Sequence, residues 1–447
     1  MTAEAPTAVA APQGITLEAH DTARRISPVA VIAWAFYDFA NTIYSLNIIS
    51  VFFPAFIVSD LKLADAYYAY PMSLSLLIVA LISPLMGGLS DQMGGRRMPW
   101  LIVTTLVCVV PTAVMGWLPA GALWWIIAAL VLSNIGYQAA LVFYDALLPE
   151  VSTTLNWGKI SGFGVGLGYV GALFGGLFVT WIVGKDAPNQ ATFAPTALLF
   201  LLFSLPCFLL VRERGYGGAV SGVSAPRARL TWRSAMSQTW RTLMDARKVP
   251  GLFIFLVANF LYSDALNTVI VAMGVYATQV IGFKSAIEVL SPAIVAAVIG
   301  SWLFGLVTDG LTSKQSLILS LVLWVGVFVA AIFTLDKFLF QWVIAPVAGI
   351  ALGSTWTAAR TMMIELSPPE KLGEFLGIYN LTGKFSAVLG PALWGTSLLI
   401  ISPAVYGKQL AYQIAIATLL VVVLLGLALH LRTPNVRRVR EKAPAAP

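Results

Sequence analysis

Two copies of one polar motif stand in otherwise apolar stretches of the chain. In each copy an Asp is followed at i+3 by Asn and at i+4 by Thr: Asp38, Asn41 and Thr42 in the first, Asp264, Asn267 and Thr268 in the second. On an α-helix these spacings place a carboxylate, an amide and a hydroxyl on one face. A carboxylate in a hydrophobic segment is costly unless it meets water, a cation or a proton, so such acids mark functional sites. We expect Asp38 and Asp264 to bind a proton or another cation, and the Asn and Thr side chains to form hydrogen bonds with a substrate.

Five charged residues lie well inside apolar stretches: Asp38, Asp145, Asp264, Arg360 and Lys384. Arg binds a carboxylate or phosphate through two parallel hydrogen bonds and Lys acts as a point charge, so Arg360 and Lys384 are expected to hold an anionic group. Together with acids such as Asp145, they suit a zwitterion such as an amino acid, or equally an organic anion that travels with protons. The alternative is a set of buried ion pairs that only hold helices together.

Aromatic side chains beside these charges could form the wall of a pocket for an apolar group. Tyr37 and Tyr262 stand next to the repeated acids, and Trp356 lies one helical turn before Arg360. We expect these three side chains to contact substrate. The alternative is a packing or interfacial role, which aromatic residues often have in membrane helices.

The composition indicates that membrane helices position these residues. Of the 447 residues, 59% are hydrophobic and 11% charged, and a soluble fold could not bury that much apolar surface. The net charge of +7 comes mostly from basic residues between or beyond the apolar stretches, which fits membrane topology and predicts no nucleic-acid partner. The 2 histidines and 2 cysteines form no catalytic or metal-binding pattern, so we expect no enzyme activity, no metal and no cofactor.

Twelve apolar stretches approach or exceed the roughly 20 residues that a helix needs to cross a bilayer. They are residues 30–58, 68–90, 99–118, 122–148, 157–183, 193–211, 251–280, 287–308, 315–334, 338–364, 373–400 and 409–431. We predict an all-α membrane protein of twelve transmembrane helices, in two six-helix bundles at 28–211 and 251–431. A basic cytoplasmic linker at 212–250 joins them, between a disordered cytoplasmic tail at 1–27 and a basic cytoplasmic tail at 432–447.

The positions of Lys and Arg predict which helix ends face the cytoplasm. If both termini are cytoplasmic, twenty of these residues fall in inside segments and five in outside loops, as the positive-inside rule requires. Charged side chains at cytoplasmic helix ends can cap a neighbouring helix and pair with one another, so we predict a cytoplasmic gate there. Its residues are Asp91, Arg96, Arg97 and Asp309.

The two halves repeat one another beyond the Asp motif. The second stretch ends with Gly87-x-x-x-Asp91 and the eighth with Gly305-x-x-x-Asp309. Glycines recur at matching spacings in the fifth and eleventh stretches: Gly158, Gly162, Gly168 and Gly175 in one, Gly373, Gly377, Gly383 and Gly390 in the other. Small residues at such spacings let helix backbones approach closely, and a duplicated bundle is typical of transporters whose halves rock against each other.

One stretch resembles the signature of the major facilitator superfamily: Gly87-Gly88-Leu89-Ser90-Asp91-Gln92-Met93-Gly94-Gly95-Arg96-Arg97. Three others resemble the branch that contains the fungal vacuolar amino-acid effluxers and their bacterial relatives: Trp34-Ala35-Phe36-Tyr37-Asp38-Phe39-Ala40-Asn41-Thr42, Phe143-Tyr144-Asp145-Ala146-Leu147-Leu148-Pro149 and Asn259-Phe260-Leu261-Tyr262-Ser263-Asp264. The resemblance spans residues 33–431. It implies a central cavity lined by helices 1, 4, 7 and 10, which carry four of the five buried charges, and a transport function.

We therefore expect a secondary active transporter that moves a small solute by alternating access, with proton-coupled efflux of neutral amino acids as the leading function. The alternatives are proton-linked transport of sugars or organic anions, export of apolar compounds, and a role as a membrane receptor or scaffold. No Gly-x-x-x-x-Gly-Lys-Ser/Thr loop for ATP occurs in the chain. The expected partners are a small-molecule substrate and the lipid bilayer, and the expected state is a monomer in a bacterial inner membrane.

Overall fold

The computed structural model describes residues 16–17, 26–64, 66–92, 96–184, 187–213, 241, 244–284 and 287–438. In this part of the chain a long helix lies in each of the predicted apolar stretches. In chain order they are α1 (Pro28–Asp60), α2 (Ala66–Gln92), α3 (Met98–Trp117), α4 (Leu123–Ala146), α5 (Trp157–Val183), α6 (Phe193–Leu210), α7 (Leu252–Tyr276), α8 (Ile287–Gly310), α9 (Ser313–Phe333), α10 (Ala345–Leu366), α11 (Leu372–Ile400) and α12 (Lys408–Leu431).

Shorter elements complete the chain. Wider π-helical turns lie within α1, after α7 and before α10: Ser45–Phe52, Phe56–Asp60, Ala277–Ile281 and Phe340–Ile344. Single turns of helix lie in the connections: Ala120–Ala122, Leu148–Val151, Asn189–Thr192, Lys337–Leu339, Pro369–Lys371 and Pro403–Tyr406. Two short strands, β1 (Thr16–Leu17) and β2 (Arg437–Arg438), pair in parallel.

Ten helices in the described residues are long and apolar enough to cross a membrane, namely α1, α3 to α10 and α12. The helices α2 and α11, of 27 and 29 residues, occupy the second and eleventh predicted stretches. Large apolar side chains cover the outer surface, where Trp181, Phe333 and Leu399 are 78%, 82% and 82% exposed. Such side chains are stable against lipid and not against water. The chain is therefore an all-helical, multi-pass membrane protein.

We call residues 28–211 the N-terminal half and residues 251–431 the C-terminal half. In the N-terminal half α1 packs against α5 and α6, and α3 packs against α4. In the C-terminal half α7 packs against α11 and α12, and α8 packs against α10. The halves contact each other most extensively along two helix pairs, α5 with α8 and α2 with α11. The helices that α7 contacts, α11 and α12, are thus numbered six higher than those that α1 contacts, α5 and α6. The repeat in the sequence predicts this correspondence.

The halves approach closely at one end of the molecule, where α2 and α8 end and α5 and α11 begin. We call this the gate end. A Cβ atom on Gly162 of α5 would lie 2.2 Å from the carbonyl oxygen of Ser301 on α8. A Cβ atom on Gly87 of α2 would lie 2.0 Å from the carbonyl oxygen of Gly373 on α11. Both contacts require glycine, because a side chain would force the backbones apart. The repeated glycines therefore permit closure at the gate end.

The linker and the tails are described only in part, with gaps at 1–15, 18–25, 214–240, 242–243 and 439–447. Near the end of the linker, Oδ2 of Asp245 lies 3.0 Å from Nζ of Lys371 in the turn before α11. Lys248 and Lys371 beside it hold the pKa of the Asp245 carboxyl below its usual range. The end of α12 is also fixed here, because Lys314 donates to the carbonyl of Leu431 at 2.8 Å. The described ends of the linker and of the C-terminal half thus lie at the gate end.

Candidate functional site

Three of the predicted charged residues meet between the halves, and we call them the charge triad: Arg360, Asp38 and Asp145. Nη1 of Arg360, on α10, lies 3.3 Å from Oδ2 of Asp38 on α1. Its Nε lies 3.0 Å from Oδ1 of Asp145 on α4. Both acids belong to the N-terminal half, so the triad is an ion-pair bridge from one half to the other.

The triad is mostly withdrawn from solvent without being sealed. The side chain of Arg360 is 12% exposed and those of its two acidic partners are 9% exposed. Buried charges are costly unless they are paired, so the guanidinium and the two carboxylates stabilise one another at this interface.

Aromatic rings hold the guanidinium of Arg360 from another side. Its Cζ lies 5.5 Å from the ring centroid of Tyr144 and 5.8 Å from that of Trp34. These two rings stack with centroids 4.6 Å apart, and Nε1 of Trp34 donates to the carbonyl of Tyr144 at 3.3 Å. Cation–π contacts stabilise the guanidinium at this position. The two rings and the two carboxylates together therefore fix the orientation of Arg360.

The first copy of the repeated motif supports the triad. Nδ2 of Asn41 donates to Oδ1 of Asp38 at 3.2 Å. The hydroxyl of Thr42 donates to the backbone carbonyl of Asp38 at 2.7 Å. On the neighbouring α5, a Cβ atom on Gly168 would lie 2.9 Å from Oγ1 of Thr42. Asp38 is thus fixed by its own helix on one side and by Arg360 on the other.

The second copy lies inside the C-terminal half, between α7 and α11, and has different partners. Oδ1 of Asp264 accepts a hydrogen bond from the backbone N–H of Gly390 at 2.5 Å, and Thr268 donates to the carbonyl of Asp264 at 2.8 Å. Nδ2 of Asn267 donates to Oγ of Ser386 at 3.4 Å. Asp264 is 0% exposed, and its Oδ2 has no hydrogen-bond partner among the described residues. The two copies are alike in sequence and unlike in surroundings.

The three predicted aromatic residues lie in different settings. Tyr37 is buried in the N-terminal half, where its hydroxyl forms a hydrogen bond of 2.7 Å with Oγ1 of Thr105. Tyr262 is buried in the C-terminal half, where its hydroxyl donates to Oδ1 of Asn259 at 2.8 Å. Both hydroxyls are therefore satisfied within their own halves. Trp356 on α10 retains exposed surface.

At the gate end, Asp309 of α8 joins the two halves. Its carboxylate oxygens accept the backbone N–H groups of Gly158 and Lys159, each at 2.8 Å, in the first turn of α5. This contact satisfies two N–H groups that have no partner within the helix and sets a negative charge against the positive end of its dipole. The carboxylate thus bridges from the C-terminal to the N-terminal half.

The other predicted gate residues differ in position. Arg97 is buried at the start of α3, where its Nη1 lies 3.7 Å from Oε1 of Glu150 and donates to the carbonyl of Ala146 at 3.0 Å. Arg96 is exposed beside it. The side chains of Asp91 and Lys384 lie outside the described residues, so their roles stay predictions.

Replacing Asp309 with Ala is expected to weaken closure at the gate end. Loss of a helix cap costs about 1 kcal/mol, and this shifts the balance between closed and open gate by roughly fivefold. The distance between spin labels on Arg96→Cys and Lys371→Cys reports this balance. Asp336→Ala is the matched control, because Asp336 caps a helix turn within one half by accepting the N–H of Leu339. Equal distance distributions in the two variants would contradict the assignment.

Sequence reasoning does not single out two buried amides on α4, Asn134 and Gln138. Nδ2 of Asn134 donates to Oγ of Ser75 at 2.6 Å. The hydroxyl of Ser75 donates to the carbonyl of Met72 on α2 at 2.7 Å, so it can only accept from Asn134. The amide oxygen of Asn134 therefore takes no part in this contact. Neither this oxygen nor Oε1 of Gln138 has a hydrogen-bond partner among the described residues. Their helical spacing to Asp145 places all three on one face of α4, and that shared face is the one signal in the sequence by which they could have been found.

Known proteins resemble this chain along most of its length. The family model described as "Vacuole effluxer Atg22 like" matches residues 62–443. The uncharacterized MFS-type transporter YxiO of Bacillus subtilis is 26% identical over 421 residues, which cover 90% of this chain and 94% of YxiO. Autophagy-related protein 22-1 of Aspergillus niger is 30% identical over 265 residues, which cover 53% of this chain and 42% of that protein.

The fold also resembles the crystal structure of a bacterial homologue of the iron transporter ferroportin in an outward-facing state. The TM-score is 0.67 at 13% sequence identity, and the match covers 91% of this chain and 99% of the other. At that identity the likeness shows the fold alone. Together with the family match, it confirms the resemblance that the sequence motifs indicate. The chain belongs to the Atg22-like vacuole effluxer family and is a membrane transporter of the major facilitator superfamily (MFS) type.

Proposed function

We propose that this transporter exports neutral amino acids by alternating access, with protons as the coupling ion. The charge triad carries the proposal, because it is a partly exposed ion-pair cluster that spans the two halves at their interface. The description of the family as effluxers supports the direction of transport. The presence of carboxylates beside a guanidinium supports the choice of a substrate that carries both an ammonium group and a carboxylate.

A zwitterion can enter the triad by exchanging partners with one of its ion pairs. The substrate carboxylate takes the place of one acid at Arg360, and the substrate ammonium group binds the acid that is set free. Asn41 is close enough to Asp38 to assist this exchange, since it donates to the same carboxylate. An organic anion could displace one acid from Arg360 but brings no cation to bind the acid that it displaces. The geometry therefore favours a zwitterion over an anion.

The same exchange links substrate binding to the motion of the halves. Each ion pair of Arg360 joins the C-terminal half to the N-terminal half. A substrate that binds Arg360 and one of the acids breaks a direct ion pair between the halves. The contacts that replace it pass through the substrate and are lost when the substrate dissociates. Binding thus lowers the barrier to rocking, as alternating access requires.

We place the gate end in the cytoplasm, so that this structure represents an outward-facing arrangement. The distribution of Lys and Arg supports this orientation, with both termini inside. In this arrangement α2 and α11 also cross the membrane, which gives twelve spans. We further propose a monomer in a bacterial inner membrane, with no nucleic-acid partner.

Counterflow in proteoliposomes tests the proposal. Vesicles containing the purified protein are loaded with one unlabelled amino acid, peptide, sugar or organic acid, and the entry of a labelled neutral amino acid is followed. Loading with neutral amino acids is expected to accelerate entry, and Arg360→Ala is expected to abolish the acceleration. Exchange of a sugar or an organic anion without exchange of any amino acid would overturn the substrate. Exchange of no solute class would favour a receptor or a scaffold.

A further inference from the structure

The two repeated acids are both candidates for the coupling proton, but their surroundings separate them. Asp38 faces the guanidinium of Arg360 at 3.3 Å and also accepts a hydrogen bond from Asn41. Asp264 is 0% exposed and accepts one hydrogen bond, from the backbone of Gly390. Its Oδ2 has no hydrogen-bond partner among the described residues. One acid is thus neutralised by a cation, and the other is held by a backbone amide.

The titratable groups on the helices packed against α7 are engaged elsewhere. On α10, Arg360 binds Asp38 and Asp145, and Glu365 accepts from Ser313. On α11, Tyr379 stacks on Phe255, and Glu374 lies in the first turn, at the gate end. On α12, Lys408 donates to Gln279, Tyr412 packs against Tyr276, and His430 contacts Phe255 and the carbonyl of Lys314. The side chain of Lys384, six residues before Gly390 on α11, lies outside the described residues. Within the described part of the chain, no ion pair neutralises Asp264.

We infer that Asp264 carries the transported proton and that Asp38 instead belongs to the substrate-binding triad. The inference rests on the proposed function. It assigns proton transport to the C-terminal half and substrate binding to the triad between the halves. A buried carboxylate without a cation is costly when ionised and acceptable when it carries a proton. In this closed-gate arrangement Asp264 is protonated, with the proton on Oδ2, because Oδ1 accepts the N–H of Gly390. The proton leaves when rocking opens a path of water to Asp264.

The contact of Asp264 gives the proton a means to act on the gate. Gly390 precedes Pro391, which has no N–H, so the carbonyl of Ala387 lacks its helical donor and α11 is weakened at this point. An ionised carboxylate accepts a hydrogen bond more strongly than a protonated one. Gain or loss of the proton therefore changes how tightly α7 holds α11 at Gly390.

Gly390 is also a point of close backbone approach. A Cβ atom there would lie 1.9 Å from Oγ1 of Thr268 and 2.7 Å from the carbonyl oxygen of Asp264. At this contact a small shift of α7 moves α11 as well, because no side chain separates the two backbones. The N-terminal end of α11 lies at the gate end, where Gly373 lies against Gly87 of α2. Through α11 the proton site in the C-terminal half is connected to the contact between the halves.

The test compares exchange with proton-driven movement in the same proteoliposomes. Asp264→Asn mimics the protonated acid, so it is expected to retain counterflow of neutral amino acids and to lose all acceleration by a pH gradient. Proton movement that accompanies substrate, measured with a pH-sensitive dye inside the vesicles, is expected to vanish. Asp38→Asn is expected to lose counterflow itself, since it breaks the triad.

Asp264→Glu keeps an ionisable group and covers the case in which the Asn variant does not fold. It is expected to retain pH-gradient-driven movement with a shifted pH midpoint. Gradient-driven accumulation that persists in Asp264→Asn, or an unshifted midpoint in Asp264→Glu, would overturn the inference. Net movement of substrate by the wild type without any accompanying proton movement would overturn it too, and would leave the transport function standing. Absence of wild-type exchange would instead refute the proposed function.

Discussion

Replacing Arg360 with Ala is expected to abolish amino-acid exchange and to lower the free energy of unfolding by about 3–5 kcal/mol. The substitution leaves Asp38 and Asp145 facing each other near the interface of the halves, with side chains only 9% exposed. It also removes the cation that lies against the stacked rings of Trp34 and Tyr144.

Counterflow and thermal unfolding in detergent measure the two effects. Arg247→Ala is the matched control, because Arg247 lies outside the site with its Cζ 4.8 Å from the ring centroid of Phe253. It is expected to change neither quantity appreciably. Arg360→Lys keeps the positive charge but lacks the planar guanidinium that contacts both acids. It is expected to lose most of the exchange activity and only part of the free energy of unfolding. Wild-type exchange in Arg360→Ala would contradict the account of the site.

The second large effect is expected from Gly162→Ala, which should hold the gate end open. The added Cβ would lie 2.2 Å from the carbonyl oxygen of Ser301 and 3.0 Å from Cα of Gly305. Backbone atoms cannot give way as a flexible side chain can, so α5 and α8 must separate. A transporter that cannot close one end cannot complete its cycle, and exchange is expected to fall to background.

Gly176→Ala provides the control on the same helix. A Cβ atom at Gly176 would come no closer than 3.4 Å to Leu46, an ordinary contact distance. Spin labels on Arg96→Cys and Lys371→Cys are expected to move apart in Gly162→Ala and to keep the wild-type distance in Gly176→Ala. If both variants kept the wild-type distance, Gly162 would not mark a closing surface.

Much of the fold can be predicted from the sequence, because bilayer thickness sets the length of each helix and the repeat sets their pairing. The positions of Gly162 and Gly373 in the repeat predict close helix contacts, although not which helix each glycine meets. That Arg360 lies near acids also follows from elementary electrostatics, since a lone buried charge is costly. Which acids it meets depends on the relative rotation of α1, α4 and α10, and periodicity does not encode that rotation.

The difference between the two repeated acids is the main feature that the sequence could not predict. The motif around Asp38 and the motif around Asp264 have the same spacing, so periodicity assigns them equal roles. Their partners come from helices far along the chain, an arginine on α10 for one and the backbone of Gly390 on α11 for the other. The settings of Tyr37 and Tyr262 are likewise set by partners on other turns and helices. Amides such as Gln138 are missed because they carry no charge to mark them.

A variant that removes the charges of the triad together, Arg360→Met with Asp38→Asn and Asp145→Asn, distinguishes substrate binding from a purely structural role of the triad. Replacing a buried ion cluster with neutral side chains of similar size is often neutral or stabilising, so this variant is expected to fold with a thermal midpoint near that of the wild type. If the triad binds substrate, counterflow of neutral amino acids is lost although the protein is folded. If the folded variant exchanges amino acids at the wild-type rate, the triad is a structural ion cluster and the substrate site lies elsewhere.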